Sequence, residues 1–147
     1  MSAAENKDTI RRIYAALETG DREVFGASVH ADYVWSLAGQ TDWSKRFEGQ
    51  DAVRRDLLAP LFHLFAGTYV ARAINLIADG DQVVAEVRGD VMTKSGQRYD
   101  NQYCFIFRFR DGKIAEIIEY GDTDLLMRAL GSYEDAVAAF KASAAKT

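Results

Sequence analysis

The sequence predicts an α+β fold in which helices pack against one face of a curved antiparallel sheet. In the first part of the chain, apolar residues recur every three or four positions, as in amphipathic helices. From Thr68 onward, apolar and polar residues alternate, as in half-buried strands. Three turn sequences divide this second part into four strands, so helices come first and an antiparallel meander follows.

The first half of the chain begins with two predicted helices and a strand. The first helix runs from about residue 6 to Glu18, and Thr19-Gly20-Asp21 ends it and starts a short second helix. Residues 33–37, YVWSL, have the aromatic and β-branched content of a strand, and His30-Ala31-Asp32 predicts a turn before it. The inward face of the first helix would consist of Ile10, Ile13, Tyr14 and Leu17.

A third helix is predicted from Asp51, and it contains a proline. Asp51 is a suitable N-cap, and the stretch DAVRRDLLAPLFHLFAG places apolar residues on one face. Pro60 cannot donate an intrahelical hydrogen bond, and its ring clashes with the preceding turn. We therefore expect a kink at Pro60 or a division into two short helices.

The second half predicts four strands joined by hairpins, and then a helix. The turns are Asp79-Gly80-Asp81, Lys94-Ser95-Gly96-Gln97 and Arg110-Asp111-Gly112-Lys113. A helix is expected to begin near Thr123. The strands between the turns cover residues 69–78, 82–94, 98–110 and 113–121.

Composition favours one domain, residues 1–147, with a small molecule or a protein surface as its partner. The apolar fraction is 48%, enough for one sizeable core. The net charge of −4 is spread without a block of like charge, which argues against nucleic acid and anionic membranes. The start of the chain has no signal-peptide pattern, and no apolar run approaches the roughly 20 residues of a membrane span, so a cytoplasmic protein is expected.

No cofactor and no metal are predicted. The glycines of the three turns are needed for the turns themselves, and no glycine-rich phosphate loop is present. His30 and His63 have no second histidine or cysteine at ligand spacing. Cys104, the only cysteine, lies in an apolar run and is expected to be a small core residue.

Arg88-Gly89-Asp90 is the most conspicuous polar motif of the predicted sheet. Alternation places Arg88 and Asp90 on one face of their strand with Glu86, and Gly89 on the other face. The pair is either a surface ion pair or part of a pocket. An adhesion role for this tripeptide would require an exposed extracellular loop, which nothing else in the sequence supports.

Three segments carry a resemblance to a known family: TIRRIYAALETGD, FEGQDAVRRDLLAPLF and YDNQYCFIFRFRDGKIAEIIEYGDT. In order and pattern they resemble the cone-shaped α+β fold of nuclear transport factor two, ketosteroid isomerase and limonene epoxide hydrolase, and in particular the SnoaL-like polyketide cyclases. The resemblance implies that the N-terminal helices lie on the concave face of the sheet. It also implies a deep apolar pocket between them.

Limonene epoxide hydrolase implies a catalytic triad at matching positions. By this resemblance Asp122 would be the base, Asp90 the acid, and Arg88 the bridge between the two carboxylates. In the SnoaL-like cyclases, an aspartate matching Asp122 would instead remove a proton next to a carbonyl. Asp122 also has a structural alternative, since it could cap the helix that begins at Thr123.

Four residues are predicted to contact a ligand. Trp35 stands where the hydrolase positions its water, and Tyr120 shares a face with Asp122 by alternation. Asn101 and Tyr103 share a face, and they either contact a ligand or begin the core that continues along that strand.

The predicted function is a cofactor-independent acid/base enzyme acting on a small apolar or polyketide-like molecule. Hydration of an epoxide is placed slightly ahead of cyclisation and isomerisation. The alternatives are a non-catalytic small-molecule binder and a homodimer that pairs through its open sheet face.

Overall fold

A seven-stranded sheet with helices on its concave face forms the protein, which the computed structural model describes over residues 1–146. The helical elements are α1 (Ala3–Leu17), α2 (Glu23–Ala27), α3 (Gln50–Ala52), a π-helical segment (Val53–Leu58), α4 (Ala59–His63), α5 (Thr123–Leu130) and α6 (Tyr133–Ala145). The strands are β1 (Val29–Leu37), β2 (Arg46–Glu48), β3 (Val70–Asp79), β4 (Gln82–Met92), β5 (Arg98–Tyr99), β6 (Gln102–Arg110) and β7 (Lys113–Gly121).

The strand order is β2-β1-β7-β6-β4-β3, with β5 paired to β4. All neighbouring strands are antiparallel except β1 and β7, which run parallel. Register shifts between Ala73 and Asn75 and between Arg108 and Phe109 mark irregularities of the kind that increase curvature. The predicted α+β fold with a curved sheet is confirmed.

The predicted hairpin turns are present, and the last of them shows why its sequence suits a tight turn. Asp111 and Gly112 both have positive φ, 52° and 77°. A two-residue turn of this kind needs positive φ at both positions, which Asp tolerates and Gly adopts freely. The turn places β6 and β7 side by side.

Two predicted boundaries were wrong. His30-Ala31-Asp32 is part of β1 rather than a turn. The segment is held by Arg110, whose guanidinium pairs with Asp32 at 2.8 Å and whose backbone carbonyl oxygen is hydrogen-bonded to the His30 ring. The predicted strand 98–110 is interrupted at Asn101, whose side-chain oxygen accepts from the backbone N–H groups of Gln102 and Asp122. Both corrections come from contacts with residues distant in sequence.

The predicted distortion at Pro60 takes the form of a π-helical segment just before it. The carbonyl four residues before a proline has no N–H to accept from, and the proline ring crowds it. Here that carbonyl belongs to Asp56, and the wider π-helical turn surrounds it. The Tyr133 hydroxyl of α6 donates to it at 2.7 Å, so the carbonyl freed by Pro60 is satisfied by another helix.

The core lies between α1 and the concave face of the sheet. Ile10 and Ile13 of α1 are fully buried, and so are Val83, Ala85 and Val87 of β4. Cys104 is exposed on the convex face, so its expected place in the core was wrong. Alternation along β6 directs its neighbours Tyr103 and Phe105 toward the core. Over residues 1–146, no helix is long and apolar enough to cross a membrane.

Candidate functional site

An apolar cavity of about 120 Å³ lies between the concave face of the sheet and the helices. Its wall is formed by α1, α2, the π-helical segment, α4 and α5 on one side, and by inward-facing residues of β1, β3, β4, β6 and β7 on the other. Most of the lining is aromatic and aliphatic. A volume near 150 Å³ is enough to hold benzene in a protein interior, so the cavity is the size of about one aromatic ring.

Among residues 1–146, Glu119 is the only carboxylate that lines this cavity. Alternation along β7 directs Ile117 and Glu119 inward and Ile118 and Tyr120 outward. The indole N–H of Trp35 donates to Oε1 of Glu119 at 3.1 Å. Among residues 1–146, no cation forms an ion pair with Glu119.

Burial raises the pKa of Glu119 from its ordinary value near 4.5 to about 7, because the apolar surroundings disfavour the charged carboxylate. The hydrogen bond from Trp35 acts in the opposite direction and is the smaller effect. Glu119 keeps some accessible surface because it lines this cavity and a smaller one beside it. A carboxyl with this pKa takes up and releases protons near neutral pH.

Tyr14, Tyr69, Tyr99 and Tyr103 line the cavity, and the last three form hydrogen bonds through their hydroxyl groups. The Tyr69 hydroxyl donates to the Tyr103 hydroxyl at 3.0 Å, and the Tyr99 hydroxyl accepts from the side-chain N–H of Asn101 at 3.1 Å. Burial raises the pKa of Tyr99 to about 12 and that of Tyr69 and Tyr103 above the usual value of a phenol. All three hydroxyls therefore stay protonated at neutral pH.

Gly89, the centre of the Arg88-Gly89-Asp90 motif, makes room for one of these tyrosines. A Cβ atom at residue 89 would lie 2.3 Å from the Tyr69 hydroxyl oxygen, well inside van der Waals contact. Any larger residue would displace Tyr69 from its hydrogen bond with Tyr103. The glycine of the motif thus allows Tyr69 to take its place in the cavity wall, whereas Arg88 and Asp90 do not line the cavity.

Arg88 and Asp90 lie on the outer face of the sheet, outside the cavity. The Arg88 guanidinium approaches Glu86 at 3.6 Å and donates to the carbonyl of Val87, while Asp90 pairs with Arg98 at 3.1 Å. The expected shared face is therefore present, but it is the convex one. The concave face of β4 is occupied by Val87, Gly89 and Val91.

Asp122 does not meet Arg88 or Asp90 either, so the expected constellation of three does not form. It is the N-cap of α5, and its Oδ1 accepts from the backbone N–H of Leu125 at 3.0 Å. The residue is exposed and does not line the cavity. Asp122 therefore caps the helix that begins at Thr123, which was the structural alternative to a catalytic role.

Of the four predicted ligand contacts, the structure places two at the cavity. Trp35 and Tyr103 line it. Asn101 is buried beside the smaller cavity, and both ends of its amide are taken by Tyr99, Gln102 and Asp122. Tyr120 is 49% exposed on the outer face, so its expected place in the pocket wall was wrong.

Glu119 was missed by sequence reasoning, although a signal for it exists. It is a single carboxylate in phase with Ile117 on an otherwise apolar side of β7. Alternation along the opposite side of β7, through Glu116, Ile118 and Tyr120, predicted Asp122 as the functional carboxylate instead. Within residues 1–146, no group of His, Cys, Asp or Glu side chains is arranged to hold a metal ion.

The fold and its apolar cavity define a cone-shaped α+β protein. The SnoaL-like domain family matches residues 10–117, and the chain belongs to this family. The resemblance noted from the sequence is thus confirmed. A comparison with curated proteins found no match.

Solved structures share the fold at low sequence identity. A proposed SnoaL-like polyketide cyclase from Jannaschia sp. CCS1 has a TM-score of 0.72 and 19% identity, covering 88% of this chain and 93% of its own. An NTF2-like protein from Burkholderia xenovorans LB400 has a TM-score of 0.67 and 24% identity, with coverages of 88% and 98%. TerC, co-crystallised with polyporic acid, has a TM-score of 0.73 and 21% identity, with coverages of 87% and 99%. At these identities the likeness concerns the fold.

Proposed function

We propose that this protein is a cofactor-independent acid/base catalyst that acts on a small apolar molecule, with Glu119 as the group that carries the proton. The observation that supports this most is a single carboxyl, held by Trp35, inside an apolar cavity. Its raised pKa matches the task, since a base is most effective when its pKa lies near the working pH. Polyporic acid bound to TerC supports a small molecule as the occupant of this fold.

Cyclisation or isomerisation fits the cavity better than hydration of an epoxide. Hydration by the expected triad needs one carboxylate to activate water, a second to donate a proton, and an arginine between them. Only Glu119 supplies a carboxylate to the cavity wall. One carboxyl is sufficient for a reaction that removes a proton from carbon and returns it.

In the proposed reaction, ionised Glu119 removes a proton from a carbon next to a carbonyl group. The electrons of the C–H bond move into the new C=C bond, and the carbonyl π electrons move to oxygen. Where the substrate also has a C=C bond at the β,γ position, the enolate is extended to a dienolate, and protonated Glu119 returns the proton at the γ-carbon, which completes an isomerisation. In a cyclisation, the enolate carbon instead attacks a second carbonyl of the same molecule, and the proton from Glu119 goes to the resulting alkoxide.

The Tyr103 hydroxyl, which accepts a hydrogen bond from the Tyr69 hydroxyl, is placed to assist by donating to the oxygen where charge develops. Both tyrosines line the cavity and both stay protonated, so Tyr103 needs no proton transfer before it acts. Removing one such donor from an enzyme typically costs about 3 kcal/mol of transition-state stabilisation. Tyr103→Phe should therefore reduce turnover more than binding.

The test is exchange of α-protons for deuterium in a panel of one-ring ketones and 1,3-diketones, followed by NMR. Glu119→Gln should abolish protein-dependent exchange. Glu116→Gln, on the opposite face of the same strand, is the matched control and should leave exchange unchanged. Asp122→Asn retains an N-capping side chain and tests the base expected from the sequence.

Each outcome separates two assignments. Loss of exchange in Asp122→Asn with normal exchange in Glu119→Gln would contradict the role of Glu119 and would favour Asp122 as the base. Binding of the ketones without any exchange by the wild-type protein would favour the alternative, a non-catalytic small-molecule binder.

We also infer a homodimer formed through the convex face of the sheet. Ile77, Val84, Ile106 and Ile118 stand side by side on β3, β4, β6 and β7, which makes an apolar row across four strands. Ile77 is 57% exposed. A second copy related by a two-fold axis would place the same row against itself, and the resemblance to the family implies pairing of this kind.

Light scattering at micromolar concentration should give the mass of a dimer for the wild-type protein and of a monomer for Ile106→Arg. Ile74→Arg is the matched control, since Ile74 is exposed beside α1 and outside the apolar row. A wild-type monomer would contradict the dimer. A dimer in both variants would place the interface elsewhere.

A further inference from the structure

The cavity shares part of its wall with a surface groove, and that wall contains Arg22, which has no carboxylate partner among residues 1–146. The groove, about 650 Å³, lies between α2 on one side and the π-helical segment and α4 on the other. Four residues line both the groove and the cavity, and they form the partition between them: Arg22, Phe25, Leu58 and Phe62. Three of these are apolar, and Arg22 is the only charged one.

Arg22 is held in place by an aromatic ring and not by an ion pair. Its guanidinium carbon lies 4.0 Å from the centre of the Phe62 ring. Stacking of this kind fixes the plane of the guanidinium while its N–H groups remain able to donate to an anion. The adjacent Asp21 and Glu23 are exposed, and Asp21 accepts instead from the backbone N–H of Glu23 at 2.9 Å.

The lack of an ion pair distinguishes Arg22 from nearly all other arginines in the protein. Within residues 1–146, only Arg22 and Arg72 have no carboxylate within ion-pair distance. Arg54, on the other side of the groove, is paired with Asp51 at 3.6 Å. Arg72 lines a separate cleft on the outer face of the sheet. Among the residues that the structure describes, Arg22 is therefore the arginine of this groove that is available for a ligand.

A charged ligand group has few places to lie in this protein other than beside Arg22. The inner cavity is apolar, and its one ionisable carboxyl, Glu119, would repel an anion once ionised. A line of contacts connects the partition with that carboxyl: Phe25 packs edge to face on Trp35 at 5.9 Å, and Trp35 bonds Glu119. A ligand that extends along this wall has an apolar end near Glu119 and its other end near Arg22.

We propose that the ligand is an apolar one-ring carboxylic acid whose carboxylate binds Arg22 in the wall that the cavity shares with the groove. As a substrate of the site described above, such an acid would carry the reacting ketone at the end near Glu119, so its catalytic meaning rests on the proposed function, although binding itself requires no turnover. The ring fills the cavity, and the carboxylate stays partly hydrated in the groove. Arg22 thereby sets the orientation of the ligand and makes the protein prefer acids over neutral molecules of the same shape.

The test compares two ligands with the same alkylphenyl body, 4-propylbenzoate and 4′-propylacetophenone. Binding is measured at pH 6, where the benzoate is ionised and Glu119 is largely protonated. The indole N–H signal of Trp35 reports occupancy by NMR titration. The variants are Arg22→Gln and, as the matched control, Arg72→Gln.

The wild-type protein should bind the benzoate more tightly than the ketone. Arg22→Gln should weaken the benzoate about ten-fold and change the ketone less than two-fold, since a charge-assisted hydrogen bond is lost only for the acid. Arg72→Gln should change neither by more than two-fold. In the wild-type protein, the preference for the acid should diminish as salt is raised.

Equal weakening of both ligands in Arg22→Gln, tighter wild-type binding of the ketone, or binding of neither ligand would overturn the proposal. An equal effect of Arg22→Gln and Arg72→Gln on the benzoate would also overturn it, because it would show general attraction by positive charge. Failure of Glu119-dependent proton exchange with the Arg22 preference intact would contradict the proposed reaction alone.

Discussion

Glu119 is the central residue of the proposed reaction, because its surroundings set its protonation state. The same side chain on the outer face of β7 would face solvent, as Glu116 does beside Arg108 at 2.6 Å. On the inner face, the carboxylate form is disfavoured by burial and supported only by Trp35. Two glutamates three residues apart thus occupy opposite electrostatic environments.

The raised pKa of Glu119 predicts a pH-dependent stability. Between pH 4.5 and 7 the folded protein binds a proton that the unfolded chain has released, so this proton stabilises the fold at low pH. This contribution to the free energy of unfolding is complete below about pH 4.5 and is lost as pH rises through about 7. It amounts to at most about 3 kcal/mol.

Urea unfolding of wild type and Glu119→Gln across pH 4 to 8 measures this effect. The free energy of unfolding of the glutamine variant, relative to wild type, should increase from pH 4.5 to 7 and then level off. Glu116→Gln is the control for replacing a carboxyl by an amide on the same strand. A difference between wild type and Glu119→Gln that does not vary with pH would contradict the raised pKa.

Gly89 provides a second prediction at the scale of one residue. Gly89→Ala places a methyl group against the Tyr69 hydroxyl and should destabilise the protein by about 1 to 3 kcal/mol, in the range of overpacked cores. The double variant with Tyr69→Phe removes the clashing oxygen and should recover part of that loss. Thermal unfolding measures both, and full additivity of the two losses would argue against a direct clash.

At this scale the sequence predicted side-chain alternation well and the choice of face poorly. Arg88 and Asp90 do share a face, and so do Tyr103, Phe105 and Phe107. Both faces of the central strands carry apolar residues, among them Ile106 and Ile118 on the convex side, so hydrophobicity alone did not identify the concave side. The bond between Trp35 and Glu119 joins residues 84 positions apart, and no local pattern predicts it.

Among the elements, the interrupted third helix shows how a local rule and a distant contact combine. Pro60 predicts a distortion by itself, and the sequence analysis anticipated one. The form of the distortion depends on Tyr133, which donates to the carbonyl that Pro60 leaves without a partner. The same tyrosine packs edge to face on Trp43, so this side chain helps to attach α6 to the cavity wall.

Tyr133→Phe should destabilise the protein by about 1 kcal/mol, because the ring packing remains while the Asp56 carbonyl loses its hydrogen bond. Tyr120→Phe is the matched control, since Tyr120 is exposed and should tolerate the loss of its hydroxyl with little effect. Chemical denaturation of both variants provides the comparison. An equal change in the two would show that the bond to Asp56 contributes nothing measurable.

At the scale of the whole molecule, the fold was the part most accessible from the sequence. Helical periodicity, strand alternation and turn residues are local signals, and together they predict helices followed by a meander. The parallel pairing of β1 with β7 was not predicted, because it joins the beginning and the end of the chain. That pairing brings Trp35 next to β7, and so the least predictable part of the topology creates the candidate site.

The function of the whole fold, in this account, is to keep one carboxyl in an apolar space large enough for a ring. The sheet supplies Glu119, the helices cover it, and Arg22 lies in the wall between the cavity and the surface groove. A small domain does this without a metal-binding cluster among residues 1–146.

Direct titration of the Glu119 side chain by carbon NMR tests this central claim. The carboxyl resonance is assigned by its disappearance in Glu119→Gln and is followed from pH 3 to 9. A midpoint near 7 is the predicted result, with the Trp35 indole N–H shifting over the same range because the two groups are bonded. A midpoint near 4.5, the ordinary value of a solvated glutamate, would contradict the account.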